Sequence, residues 1–239
     1  MQNNLERINP DLVIPDEILG QKTLELHLER YRFAAKHLSG GVVADIACGV
    51  GYGSYLLAEE CGDRIRHIYA VDNDEESIRF ASKRYAHNKI TFIETDALRY
   101  QPPEILNTIV SLETLEHLEK PSSFIQHMAK QLTIGGRFIA SVPITPSMDA
   151  NPYHLHDFTT RSFKKMFSDA GMKEIDSIIQ QQPYNLFSIA KQNEERSKDL
   201  RKNIAGYYVR NPNKLLLRLR SLVQDGWNNK YIVTAFQKL

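Results

Sequence analysis

The chain has 239 residues, 42% hydrophobic and 25% charged, which suffices for one large globular domain with a substantial core and leaves room for a small appendage. Its formal net charge of +1 supplies no overall attraction to a polyanion, so a nucleic-acid partner is not expected without a local basic patch. Two cysteines, Cys48 and Cys61, cannot make a metal framework on their own and read as reduced thiols of a cytosolic protein.

The N-terminus carries Asn3, Asn4, Glu6 and Arg7, without the basic-then-apolar layout of a signal peptide. No apolar run approaches about 18 residues, so the expectation is a soluble, cytoplasmic protein. Residues 1–20, with Pro10, Pro15 and Gly20, read as an irregular arm. From Thr23 the spacing of Leu24, Leu28, Tyr31 and Ala35 predicts a helix that Ser39-Gly40-Gly41 ends. Strand and helix then alternate: strand 42–47, helix 52–61, strand 66–71, helix 74–86, strand 90–94, strand 106–112, helix 121–132 and strand 136–142. Asp74 is the expected N-cap of the second of these helices, and Gly135-Gly136 the expected stop of the helix before the fifth strand. Helix 160–170, strand 174–181, a polar and partly helical excursion over 185–225 and a last strand Tyr231–Gln237 follow. Apolar strands alternating with helices imply an α/β, doubly wound, mostly parallel sheet. The chain divides into an arm and cap helix (1–35), a ligand-binding core (36–183) and a helical excursion with a final strand (184–239).

The segment Val43–Gly53 places an apolar strand, the acid Asp45 and the glycines Gly49, Gly51 and Gly53 directly before a helical pattern. Glycines suit that turn because the backbone must bend sharply and approach a ligand that a Cβ would obstruct. The strand Ile68–Asp72 ends in an acid about 20 residues beyond the last glycine, a spacing at which a carboxylate accepts from both ribose hydroxyls. Asp96, with Ala97 beside it, closes the next strand and suits an adenine amino group, and the run Thr108–Leu112 delivers Glu113 to the same sheet edge.

Over roughly residues 25–180 these four ordered segments resemble the class I S-adenosylmethionine-dependent methyltransferases. Asp45 through Gly53 looks like the family's D-x-x-C-G-x-G-x-G loop, Asp72 its ribose acid, Thr95-Asp96-Ala97 its adenine loop and Val110–His117 its fourth-strand segment. A dinucleotide-binding enzyme would carry G-x-G-x-x-G instead, whereas Ser54 follows the third glycine here. The resemblance implies S-adenosyl-L-methionine as cofactor, a seven-stranded Rossmann-like sheet closed by two strands of which one is antiparallel, and a cap helix over the pocket. On it, Asp45 orients the methionine amino group, Tyr31 supplies an aromatic wall, His27 and Arg30 face the same end, and Glu113 begins the acceptor side.

Methyl transfer is an in-line displacement that needs the acceptor lone pair roughly 3 Å behind the methyl group with water excluded. A hydroxyl acceptor also needs its proton removed, a task for which histidine has the most suitable unperturbed pKa. Ligands of open α/β sheets lie beyond the carboxyl ends of the strands. Two segments fall there: Glu113, Glu116 and His117, and the stretch Asn151–Phe158, which looks like the N-P-x-H-x-x-E/D-[FWY] loop of sugar- and natural-product-modifying relatives. The catalytic candidates are His154, His156 and His117, with His154 preferred as base and the other loop histidine expected to hold the backbone. His117 has an equal alternative role in orienting the site. Glu113, His117, His154, His156 and Asp157 carry metal-ligating groups but share no recognised ligand spacing, so the reading contains no metal. Arg161 and Lys164 are candidate phosphate contacts.

The resulting expectation is O-methylation of a small-molecule or sugar hydroxyl. Its alternatives are an N-methyltransferase and a non-catalytic cofactor-binding subunit. A nucleic-acid substrate is disfavoured because Leu112-Glu113-Thr114-Leu115 offers no aromatic for base stacking. Lys214–Val223 mixes leucines with basic residues, a pattern for packing on the domain or a second subunit and, less so, for a membrane surface.

Overall fold

The computed structural model describes residues 8–12, 18–183, 201 and 203–239. Seven strands form one sheet: β1 (Gly41–Ile46), β2 (Ile65–Asp72), β3 (Ile90–Glu94), β4 (Leu106–Leu112), β5 (Leu132–Pro143), β6 (Met172–Pro183) and β7 (Asn228–Lys238), in the spatial order β3-β2-β1-β4-β5-β7-β6. The first five strands pair in parallel, and β7 runs antiparallel between β5 and β6. Helices α1 (Ile18–His37), α2 (Tyr52–Cys61) and α3 (Glu75–Arg84) cover one face, and α4 (Pro121–Lys130) and α5 (Thr160–Asp169) the other. The strand alternation assigns those faces. On β1, Val42, Ala44 and Ile46 join the cluster containing Phe124, Phe163 and Phe167, while Val43 joins the one containing Tyr31, Ala34 and Leu57. Phe167 and Phe236 stack with centroids 4.0 Å apart, sealing the far side of the sheet where β7 enters it.

Local chemistry accounts for most boundaries. Asp74 caps α3 by accepting from Ser77 N at 2.8 Å, and Thr159 caps α5 in a reciprocal bond pair with Ser162. Two expectations need correction. Gly135-Gly136 does not end a helix: α4 stops at Lys130, and both glycines lie inside β5, where the register with β4 shifts between the pairs Leu106↔Leu132 and Thr108↔Arg137. A Cβ on Gly136 would meet Thr133 O at 2.8 Å, so the glycine serves that irregularity. The first helix starts at Ile18, taking in Gly20, and of the arm before it only residues 8–12 are described, as a turn whose Asp11 meets Arg84. Within the excursion, residues 184–200 and 202 lie outside the described residues, and the described part contains α6 (Ile204–Arg210) and α7 (Pro212–Asp225).

The order of strands reverses between β1 and β4, because β2 and β3 extend the sheet to one side and β5, β7 and β6 to the other. A crevice opens at such a reversal, beyond the carboxyl ends of the two strands. Two non-glycine residues with positive φ stand at those ends, Ala47 (62°) after β1 and Glu113 (51°) after β4. Backbone strain at that place is a mark of a working site. No helix among the described residues is long and apolar enough to cross a membrane.

Candidate active site

The glycine loop links β1 to α2, and its three glycines have different neighbours. A Cβ on Gly51 would come within 2.6 Å of Phe92 on β3 and 2.7 Å of Ala81 on α3, and one on Gly53 would enter the Tyr31 ring at 1.9 Å. Packing therefore requires both. Gly49 differs, for with φ at 56° a Cβ there would meet nothing within 4 Å. The loop thus offers Gly49 as its open floor, and Asp72 stands beside it, one oxygen accepting from Gly49 N at 2.8 Å and the other from Asp74 N at 3.0 Å. Asp96 is exposed at the end of β3, where it accepts from Leu98 N at 2.7 Å, and Ala97 packs on the core behind it.

Asp45 is buried under the loop, hydrogen bonded by Ser54 Oγ at 2.6 Å and by the Tyr31 hydroxyl at 3.2 Å. Tyr31 stands edge-on to Tyr52, whose hydroxyl lies 3.0 Å from His27 Nδ1. Burial lifts the Asp45 carboxyl from 3.8 to about 6; the bonds from Ser54 and Tyr31 restrain the rise, and the Asp72 charge adds to it. The folded chain therefore holds the Asp45 proton at pH values where the unfolded chain has released it. That contribution to stability is complete below about pH 4 and is lost as the pH rises to about 6. On the expectation that the cofactor's amino group meets Asp45, cofactor affinity should move oppositely, because an adjacent ammonium favours the ionised carboxylate. Affinity for S-adenosylmethionine is expected to climb by up to about tenfold per pH unit below about pH 6 and then level off. Calorimetric titration of wild type and Asp45→Asn across that range checks this: the slope belongs to the wild type, and a sloping variant would contradict the assignment.

Arg30 enters from α1 and is almost wholly buried. Its Nε donates to Gln180 Oε1 at 2.8 Å, its guanidinium lies 4.6 Å from the Tyr231 ring centroid, and its Nη2 is 3.7 Å from Glu113 Oε2. The remaining nitrogen, Nη1, is buried with no hydrogen-bond partner. These groups fit S-adenosylmethionine. Gly49 leaves the backbone approachable, Asp72 brings a carboxylate beside it, and Arg30 Nη1 is an unspent donor for a carboxylate. Glu113 completes this side, with Oε1 accepting from Ser141 Oγ at 2.6 Å.

On the acceptor side, three hydrogen bonds clip the loop after β5 to the turn after β4. Leu155 N donates to Glu116 O at 2.8 Å, His117 Nδ1 donates to Tyr153 O at 3.2 Å, and His156 Nε2 donates to Leu118 O at 2.9 Å. A carbonyl only accepts, so both ring nitrogens carry the proton in these bonds. His154 takes a different position: its Nδ1 lies 2.7 Å from Ser147 Oγ, and its ring stands edge-on to His117 with centroids 4.7 Å apart. Glu116 is completely buried beside them. Neither of its oxygens has a hydrogen-bond partner, and burial, followed by the nearby Glu113 charge, holds its carboxyl well above the usual range.

The excursion braces this loop. Asp149 receives Arg218 from α7 at both oxygens (2.5 and 2.7 Å) and the Tyr208 hydroxyl from α6 at 2.5 Å, while Lys214 Nζ reaches Asp157 Oδ2 at 2.7 Å. Burial alone would lift Asp149, but the bonds from Arg218 and Tyr208 outweigh it and hold its carboxyl below the ordinary range. Sequence reasoning missed this brace and the unpartnered state of Glu116. Only the basic spacing of Lys214 and Arg218, four apart on one helix face, gave a signal for it. Arg161 is exposed, and Lys164 pairs with Glu174 at 2.6 Å.

A family model described as "Methyltransferase domain" matches residues 37–191. The chain is similar to a probable S-adenosylmethionine-dependent methyltransferase of Mycolicibacterium smegmatis, with 24% identity over 188 residues that cover 71% of either chain. A probable S-adenosylmethionine-dependent methyltransferase of Mycobacterium tuberculosis is 25% identical over 168 residues, 68% of this chain and 60% of that one. In fold it is similar to the N-methyltransferase NodS from Bradyrhizobium japonicum WM9, solved with S-adenosyl-L-homocysteine, at a TM-score of 0.57 and 16% identity, covering 98% of this chain and 96% of that one.

Proposed function

We propose, from the premise that this chain belongs to the class I S-adenosylmethionine-dependent methyltransferases, that its acceptor is the hydroxyl of a small molecule or sugar. The observation that carries this reading is the edge-on pair His117 and His154 beyond the carboxyl ends of β4 and β5. An amine acceptor can reach the methyl group already neutral, whereas a hydroxyl must lose a proton as its bond to carbon forms, and two imidazoles at the site suit the second case. The cofactor supplies an electrophilic methyl on a sulfonium. The chain does the rest: Asp72 grips the ribose, Asp96 and Ala97 flank the adenine, Asp45 and Arg30 hold the two ends of the amino-acid group, and Tyr31 backs the loop. His154, with His117 second, promotes loss of the hydroxyl proton, and His156 holds the loop through Leu118. The protein acts in the cytoplasm with Cys48 and Cys61 as thiols, both being free and buried.

A methyl-release assay on matched hydroxylated and amine acceptors tests the reading. Turnover is expected on a hydroxyl acceptor and should fall by on the order of 10²-fold in His154→Ala. Turnover confined to amines, or a rise in KM at unchanged kcat in that variant, would replace the hydroxyl reading with an N-methyltransferase whose histidines only position. Tight cofactor binding with no turnover on either set would point to the non-catalytic subunit.

A further inference from the structure

Glu116 presents a difficulty that the methyl-transfer site by itself leaves unsolved. An ionised carboxylate without hydrogen-bond partners is costly to bury, and the neutral acid would still leave a buried donor and acceptor unsatisfied. Both oxygens of Glu116 are in that condition. A second carboxylate, Glu113, is close enough to raise it further. Yet two imidazoles are carried to the same spot by separate segments of chain. One donor atom each from Glu116, His117 and His154 lies within 4.8 Å of the others. The histidines are oriented as ligands are: His117 by a backbone carbonyl at its Nδ1, which leaves the lone pair of the neutral ring on Nε2, and His154 by the Ser147 hydroxyl at its Nδ1.

We propose that Glu116, His117 and His154 bind a divalent first-row transition ion, and that this ion receives the acceptor hydroxyl. The functional half rests on the hydroxyl reading above and specifies how the histidine pair promotes proton loss. A cation supplies what Glu116 lacks, and one carboxylate with two imidazoles favours ions in the manganese-to-zinc range over magnesium or calcium. Bond lengths of about 2.0–2.2 Å require the three donors to close in on the ion from the spacing they have here. Three protein ligands leave coordination positions open, facing the acceptor side of the crevice. An alcohol oxygen bound there is acidified. Its proton passes to solvent, its electron pair forms the new C–O bond, and the S–C bond breaks with its electrons returning to sulfur, which ends as a neutral thioether.

The ion itself can be followed without turnover. The full-length protein, stripped with chelator, is titrated with Co²⁺ and watched for visible d–d absorption, with Zn²⁺ as competitor, Mg²⁺ as comparison and the variant His67→Gln on β2 controlling for adventitious histidine binding. One equivalent of Co²⁺ is expected, displaced by Zn²⁺ and not by Mg²⁺. Affinity should fall on the order of 10²-fold in Glu116→Gln and in His154→Ala while remaining intact in His67→Gln. The near-isosteric Glu116→Gln keeps the test sharp, because a merely protonated buried acid would tolerate it. Absence of bound Co²⁺, or affinity unchanged in Glu116→Gln, overturns the site. Metal bound as expected alongside turnover on amines alone would leave the site standing and remove the hydroxyl reading.

Discussion

Gly51→Ala is expected to lower the melting temperature by on the order of 10 °C, while Gly49→Ala leaves the fold in place and weakens cofactor binding. At Gly51 the added methyl meets Phe92 at 2.6 Å and the Ala81 Cβ at 2.7 Å, and Ala81 sits on a packed helix that cannot yield by rotating a side chain. The left-handed φ of 84° adds to the cost. Strain of about 1–2 kcal/mol and overpacking of about 1–3 kcal/mol together give a few kcal/mol. For a domain of this size that amounts to roughly 10 °C. Gly49 carries the strain alone, since a Cβ there would meet nothing within 4 Å. Its methyl would occupy the open space at the loop that the proposed cofactor position needs. Calorimetric melting of both variants, with cofactor titration of Gly49→Ala, separates the two roles. Equal melting temperatures would show that Gly51 is not packed as described, and undiminished affinity in Gly49→Ala would show that the cofactor does not approach the loop there.

Asp72→Ala should reduce affinity for S-adenosylmethionine by about 10³-fold. In the proposed ribose role, two charge-assisted hydrogen bonds from Asp72 would contribute on the order of 1.5–3 kcal/mol each, and a total near 4 kcal/mol corresponds to that factor. Asp72 also receives Gly49 N and Asp74 N, so its removal loosens the floor of the pocket together with its wall. Titration calorimetry reads the affinity, and far-UV circular dichroism verifies that the sheet persists. A folded variant binding within about tenfold of wild type would remove Asp72 from the ribose position.

The parts of the site visible in the amino-acid sequence are those whose partners lie close in the chain or follow a fixed spacing. Asp74 caps the helix that begins one residue later, and α2, β3 and β4 occupy the ranges that their patterns predict. Gly135-Gly136 misled for a related reason. A glycine pair after a helical pattern ordinarily marks a stop, and only the pairing of β5 with β4 shows it to be a strand irregularity. The glycine loop was legible as a unit, but its division of labour was not, because the atoms that crowd Gly51 and Gly53 come from α3, β3 and α1.

Periodicity and motif order were enough to establish an α/β sheet and the family, since these depend on neighbours along the chain and on the direction in which successive strands must run. Long-range packing alone could place Arg218 against Asp149, 69 positions away, or bring His154 beside His117 and Glu116. Such meetings are determined by how α6, α7 and the loop after β5 settle on the finished sheet, and burial then sets the protonation of the groups they enclose.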